Sequence, residues 1–264
     1  MEKNRTPYFD MKSEYDSIIS LGGFCGAASQ LRARGLRPCS YPLDWVFMDS
    51  PESIEWLATA FANGFADFAL RENLVPIERD GVGGLAPFKY KDQASGYCFI
   101  HHFWRAIDDG DGYAEFSLTM RRRIKRMLSC FSPGKSVLLI LATIFPFERA
   151  LAEKLLCAIR EMFPQAEIDM HVMQFNVAFD SPQVESERWP DGAPFTGGRY
   201  RRANGAYDLS RTSAEWSFLD GLSLRGYEVA KPYGLSKLYM KLWKRFSKRL
   251  RNDGYGVLGI RFRH

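Results

Sequence analysis

Two spacings of apolar residues alternate along this chain. Residues 16–21 hold a short apolar run, Ile18, Ile19 and Leu21, stopped by Gly22-Gly23, and predict a buried strand. From 25 to 34 the spacing turns helical, with Ala27, Ala28 and Leu31 on one side and Arg32 and Arg34 on the other; Gly35 then fits a C-terminal cap. A second helix opens at Ser50-Pro51, with Ser50 as cap and Pro51 in the first position, and buries Ile54, Leu57, Ala58 and Phe61. Residues 71–93 are broken by Pro76, Gly81, Gly83, Gly84 and Pro87 and predict irregular structure. An aromatic strand over 97–104 follows, then a helix over 114–131 ended by Pro133-Gly134. The strongest buried-strand pattern is 136–142; a helix over 147–162, a strand over 168–175 and a long polar stretch over 176–210 come after it.

That alternation predicts an α/β class: a central, mostly parallel sheet with helices on both faces and one long irregular insertion. We expect a single domain over 1–264, with 176–210 as a lid or insertion because it exceeds ordinary connections. The 264 residues are 46% hydrophobic, enough for a full core, which excludes a disordered chain or a disulfide-stapled miniature. No apolar run approaches the roughly 18–20 residues that cross a bilayer, and the first residues lack an apolar signal core, so a soluble cytoplasmic protein is expected. The five cysteines are scattered, with no C-x-x-C pair, so free thiols are expected rather than disulfides or a zinc site. The acidic residues show no metal-binding spacing.

Charge is uneven. From Lys231 to His264 there are ten basic residues and one acidic, so the rest of the chain sums to −4 within a total of +5. Over 234–253, Leu235, Leu238, Leu242, Trp243 and Phe246 fall at helical spacing among lysines and arginines. This basic amphipathic helix is read first as a core helix with a solvated outer face, and second as a segment for an anionic membrane or polyanion. Arg121-Arg122-Arg123-Ile124-Lys125-Arg126 is a second basic cluster, read as a solvated helix face that could also hold phosphate or an acidic sugar. No zinc finger, RNA-recognition signature or helix-turn-helix pattern is present, so sequence-specific nucleic-acid binding is not expected. Gly81-Val82-Gly83-Gly84 lacks the Lys-Ser/Thr of a phosphate-binding loop.

The chemistry concentrates at Ser20-Leu21-Gly22-Gly23-Phe24-Cys25-Gly26, which puts Cys25 at a strand–turn–helix junction. Unpaired N–H groups at a helix N-terminus lower a thiol pKa and can hold a developing oxyanion. Small residues such as Gly23 and Gly26 admit a carbonyl close to the backbone, so Cys25 is a candidate nucleophile. A thiol also needs a base. The chain has four histidines, and adjacent His101 and His102 sit on one strand with side chains expected on opposite faces. Asp44, between Pro42 and Trp45, is a candidate for orienting the imidazole, with a turn aspartate as the plainer role.

Several of these residues carry a resemblance. Ser20-Leu21-Gly22-Gly23-Phe24-Cys25, Leu31-Arg32, Gly35-Leu36-Arg37, Ser40, Pro42-Leu43-Asp44-Trp45 and Phe99-Ile100-His101-His102-Phe103 are similar to an uncharacterised bacterial family described as papain-like cysteine peptidases. Its pattern runs Ser-Leu-Gly-x-x-Cys, Pro-Phe-Asp-Trp, then His-Asp-Phe, and the similarity covers about the first 145 residues. The resemblance implies Cys25 as nucleophile and His101 as base, with His102 as an alternative base and Asp44 as the motif aspartate. It also implies an α+β papain-like fold as the alternative to the sheet read above. His102 stands where the family has an aspartate, Leu43 where it has a phenylalanine, and Ile19 where well-studied papain-like enzymes place a glutamine oxyanion donor.

The expectation is therefore a cysteine hydrolase, a peptidase or amidase, acting on a peptide, amide or glycan-linked substrate. Gly23, Gly26, Ser40 and Trp45 would line the substrate or oxyanion position, and neither cofactor nor metal is required. Two other readings stand beside it: a transferase acting on a cell-surface polysaccharide or its nucleotide-sugar donor, and a non-enzymatic protein that binds a membrane surface or a partner.

Overall fold

The computed structural model describes residues 11–77, 88–178, 186–190, 193–201 and 214–227. The chain divides into two units, Met1–Gly226 and Tyr227–His264, and every described element lies in the first. The basic segment 234–253 lies outside the described residues.

The main sheet is built from the predicted apolar runs. Strands β2 (Ser17–Ser20), β7 (Ser136–Thr143), β8 (Glu167–Gln174) and β10 (Thr196–Tyr200) run parallel in that order, and β9 (Ser186–Arg188) closes the edge antiparallel to β10. All eight residues of β7 are buried, as its unbroken Val-Leu-Leu-Ile-Leu-Ala run requires of a central strand covered on both faces. Alternation sorts its side chains: Val137, Leu139 and Leu141 join one apolar cluster, Leu138, Ile140 and Ala142 the other. The first cluster includes residues of α2 (Glu52–Ala62), α3 (Gly112–Ser129) and α4 (Arg149–Met162); the second includes Ala27 and Leu31 of α1 (Cys25–Ala33) and Trp216 of a 3-10 helix, Ala214–Gly221. The mixed α/β class with a mostly parallel sheet is thus present. A two-residue parallel pair, β1 (Glu14–Tyr15) with β11 (Ser223–Leu224), joins the two ends of the described chain.

Three features depart from the sequence reading. Residues 71–93, expected to be irregular, contain β4 (Leu74–Pro76) and β5 (Phe88–Asp92). These extend a separate antiparallel sheet ordered β3 (Val46–Met48), β6 (Tyr97–Phe103), β5, β4. The polar stretch 176–210, expected to be irregular, supplies β9 and β10 to the main sheet. Ser50 does not cap α2; the helix starts one residue later with Pro51 at the N-cap.

Candidate active site

The site begins at the turn between β2 and α1. Gly22 and Gly23 have φ of 88° and 98°, and a Cβ on Gly23 would lie 1.6 Å from the Ala142 carbonyl oxygen at the end of β7. Only glycine permits that approach together with left-handed backbone. The turn is held on its other sides as well: Met48 N–H donates to the Gly23 carbonyl at 3.0 Å, and Tyr97 Oη donates to the Leu21 carbonyl at 3.1 Å. Phe24, the N-cap of α1, is buried edge-on against Phe175 and Trp216. These contacts fix the direction in which α1 leaves the sheet, with Cys25 as its first residue and Gly26 buried behind it.

Among the described residues no side chain caps the N-terminus of α1 and its first turn holds no acidic residue, so the helix start favours an anion. The thiol itself is half-buried. Burial pushes the Cys25 pKa up, and its own backbone N–H opposes this only partly. Desolvation thus works against the thiolate that a helix start favours.

The loop leading into β3 carries the other motif residues. Asp44 is fully buried; its Oδ2 takes the Arg37 guanidinium and, at 2.8 Å, the Tyr41 N–H. Burial raises its pKa against the opposing pull of Arg37. Arg37 also reaches Ser40 Oγ at 3.2 Å, and the Ser40 carbonyl accepts Arg126 at 2.9 Å, which ties the loop to α3. Trp45 lies between two guanidiniums, with Arg32 of α1 at 5.1 Å and Arg37 at 5.2 Å from its ring centroid.

His101 and His102 sit in a bulge. Phe103 pairs with Phe88 and Phe99 with Tyr90, so four steps along β6 span two along β5. Such an insertion re-aims side chains beside it. The His101 ring packs edge-on to Trp45 at 6.0 Å, and burial followed by Lys89 lowers its pKa. His102 instead lies against Phe99 and Phe116 with Arg123 Nη1 at 3.4 Å from its Nε2, and burial holds its pKa down at about 3. Its Nδ1 is buried without a hydrogen-bond partner among the described residues.

The structure thus joins Ser40, Asp44 and Arg37 in one polar cluster, and Trp45 to His101. Gly23, Cys25 and Gly26 form a second group at the β2–α1 turn. Arg32, on the same helix as Cys25, packs over the Trp45 ring. Arg37 and Arg123 were missed as site residues; the charge-rich loop and helix face hinted at them, but only burial shows that they turn inward. A further cavity of about 890 Å³ opens beside β8, β9, β10 and the start of α4, lined by Glu148, Arg149, Gln174, Glu187, Trp189 and Arg199 among others. Nothing in the spacing of 176–210 pointed to it.

No helix among the described residues is long and apolar enough to cross a membrane. Residues 16–179, more than half of the chain, match the family described as "Putative papain-like cysteine peptidase". The match runs from β2 to just beyond β8 and includes Cys25, Asp44 and both site histidines. An uncharacterized protein of Acanthamoeba polyphaga mimivirus is 27% identical over 187 residues, which cover 66% of this chain and 82% of that protein. No solved structure matches the chain.

Proposed function

The chain belongs to that peptidase family, and from this premise we propose that it is a thiol hydrolase with Cys25 as nucleophile and His101 as base. The observation that carries the reading is the place of Cys25: first residue of an uncapped helix, at the carboxyl end of a parallel strand, behind a turn that only glycines can make. Ligands of open α/β sheets bind at that edge.

Burial raises the Cys25 pKa and lowers that of His101, so the resting pair is a thiol and a neutral imidazole rather than an ion pair. The proton then moves during attack. Sulfur bonds to the carbonyl carbon, the thiol proton passes to His101, and the N–H groups opening α1 hold the oxyanion. Collapse expels the amine or alcohol, which takes its proton back from His101, and water hydrolyses the acyl-enzyme. Trp45 packs on the His101 ring and orients it, while Asp44 acts through Arg37 on the loop that carries Trp45.

An acyl chloromethyl ketone probe tests the pair. Alkylation at Cys25 is expected in the parent chain, absent in Cys25→Ala, and slower by about 100-fold in His101→Ala. Equal rates in the parent and His101→Ala overturn the assignment.

The cavity beside β8, β9 and β10 favours a second reading, a transferase that binds a nucleotide-sugar donor there. Trp189 suits a ring and Arg188 a phosphate; Arg149 and Arg199 pair with Glu153 and Glu187. A rise in Tm with a uridine or guanosine diphosphate sugar, lost in Trp189→Ala, supports it; no rise across the donors removes it.

A further inference from the structure

Residues 121–126 have the pattern of a solvated basic face, yet Arg123 is half-buried. It helps line a cavity of about 350 Å³ between β6 and α3, with His101, His102, Trp104, Arg105 and Thr119 among its walls. That volume lies near the lower end of small-molecule sites.

The charges around this space do not balance. From β6 and the residue pair after it come His101, His102 and Arg105; from α3 come Glu115, Arg122, Arg123 and Arg126; from β5 comes Lys89; from the loop before β3 come Arg37 and Asp44. Asp44 is already committed to Arg37 and the Tyr41 amide. Glu115 is the only carboxylate among the residues that line the cavity. Arg123 feels Asp44 as its favourable neighbour but Arg37, Arg126 and Arg122 as repulsive ones, in addition to its burial. A guanidinium that is partly desolvated among like charges is stabilised by any anion placed beside it.

We propose that this cavity binds a phosphate group, free or as the ester of a small molecule. Polar side chains line it from both elements: the guanidinium of Arg105, after β6, and the guanidinium of Arg123 with the Thr119 hydroxyl, both on α3. A tetrahedral oxyanion meets donors arriving from several directions, whereas a planar carboxylate uses one fork. The cavity has His101, the proposed base, in its wall but does not involve Cys25, so failure of the nucleophile assignment leaves it untouched.

Calorimetry with the full chain at pH 7 tests it, using inorganic phosphate, glucose 6-phosphate and acetate at matched ionic strength. Saturable one-to-one binding of either phosphate compound is expected, with movement of the His102 ring resonances, and Cys25→Ala binds equally well. Tighter binding of the ester assigns the site to a phosphorylated ligand; tighter binding of the free ion assigns it to phosphate itself. Arg105→Gln, at an exposed position, is expected to weaken binding about tenfold without lowering Tm. Thr119→Ala acts in the same direction. The proposal is overturned by no saturable binding, by acetate binding as tightly as phosphate, or by an unchanged affinity in Arg105→Gln.

Discussion

Arg37 and Asp44 form an ion pair closed to solvent on both sides, their side chains 6% and 0% exposed. The pair organises the whole loop before β3. Asp44 also takes the Tyr41 amide, Arg37 also reaches Ser40, and the same guanidinium covers Trp45, whose ring also meets Arg32 and His101. A buried charge pair of this kind is a positioning device more than a source of stability, since the desolvation of both ions offsets much of their attraction.

Asp44→Ala is therefore expected to cost about 3–5 kcal/mol, because it leaves Arg37 buried and uncompensated. At this chain length that lowers Tm by roughly 10 °C. The double variant Arg37→Met with Asp44→Leu recovers most of the loss in urea unfolding, since neither buried charge of the pair remains. A double variant as unstable as Asp44→Ala would show that the pair stabilises outright.

Histidine burial sets an acid limit on stability. His102 and His171 both fall from the ordinary 6.5 to about 3, each chiefly through burial. A base whose pKa is lower in the folded state contributes stability that is complete above 6.5 and is lost as pH falls toward the folded value. Each group removes about 1.4 kcal/mol per pH unit in that window. Urea unfolding at pH 6.5, 5.75 and 5 is expected to show this decline, and His102→Gln to reduce its slope by one histidine. An identical slope in that variant counts against burial of the neutral ring. Asp16, held at about 2 by the Ser136 backbone and its other hydrogen bonds, adds its own loss only below the ordinary carboxylate range, outside the measured window.

The β2–α1 turn gives a backbone prediction with an internal control. Gly23→Ala drives a methyl into the Ala142 carbonyl, backbone against backbone, at φ 98°. Gly64 also has positive φ, 66°, but a Cβ there meets nothing within 4 Å. Gly64→Ala should cost about 1–2 kcal/mol from conformation alone. Gly23→Ala should cost clearly more, about 3 kcal/mol or above, and displace the start of α1. Equal losses in chemical denaturation would mean that the turn is not wedged against β7.

What could be read from residues alone followed physical rules of unequal strength. The unbroken apolar run of β7 and the 3.6-residue spacing of α1 to α4 are signals that burial itself imposes, so those elements were legible. Strand β10 was not, because Thr-Gly-Gly-Arg-Tyr has little strand propensity. The structure shows why glycine sits there: a Cβ on Gly197 would lie 2.0 Å from the Val172 carbonyl oxygen. Strand β5, Phe-Lys-Tyr-Lys-Asp, hid behind its charges and a Gly-rich approach. At the site, Cys25 at a helix start was legible from Gly22-Gly23, but its raised pKa depends on burial, which spacing does not report. The bulge at His101-His102 likewise follows from pairing with β5, a contact made at a distance in sequence only where the hairpin closes.

The resting protonation of the candidate pair yields the last prediction. Cys157 is exposed and Cys25 half-buried with a raised pKa, so iodoacetamide at pH 7 should alkylate Cys157 first in the free protein. The acyl probe behaves differently, because attack draws on His101. Its rate at Cys25 requires neutral imidazole, and the lowered His101 pKa keeps that form populated below 6.5. The pH–rate curve should therefore rise through a midpoint below 6.5, run level through neutrality, and rise again only above the ordinary thiol range as thiolate forms. In His101→Ala the lower limb disappears and the upper one stays. A single limb in the parent chain, centred on the thiol alone, would leave Cys25 without a base and His101 as part of the loop packing around Trp45.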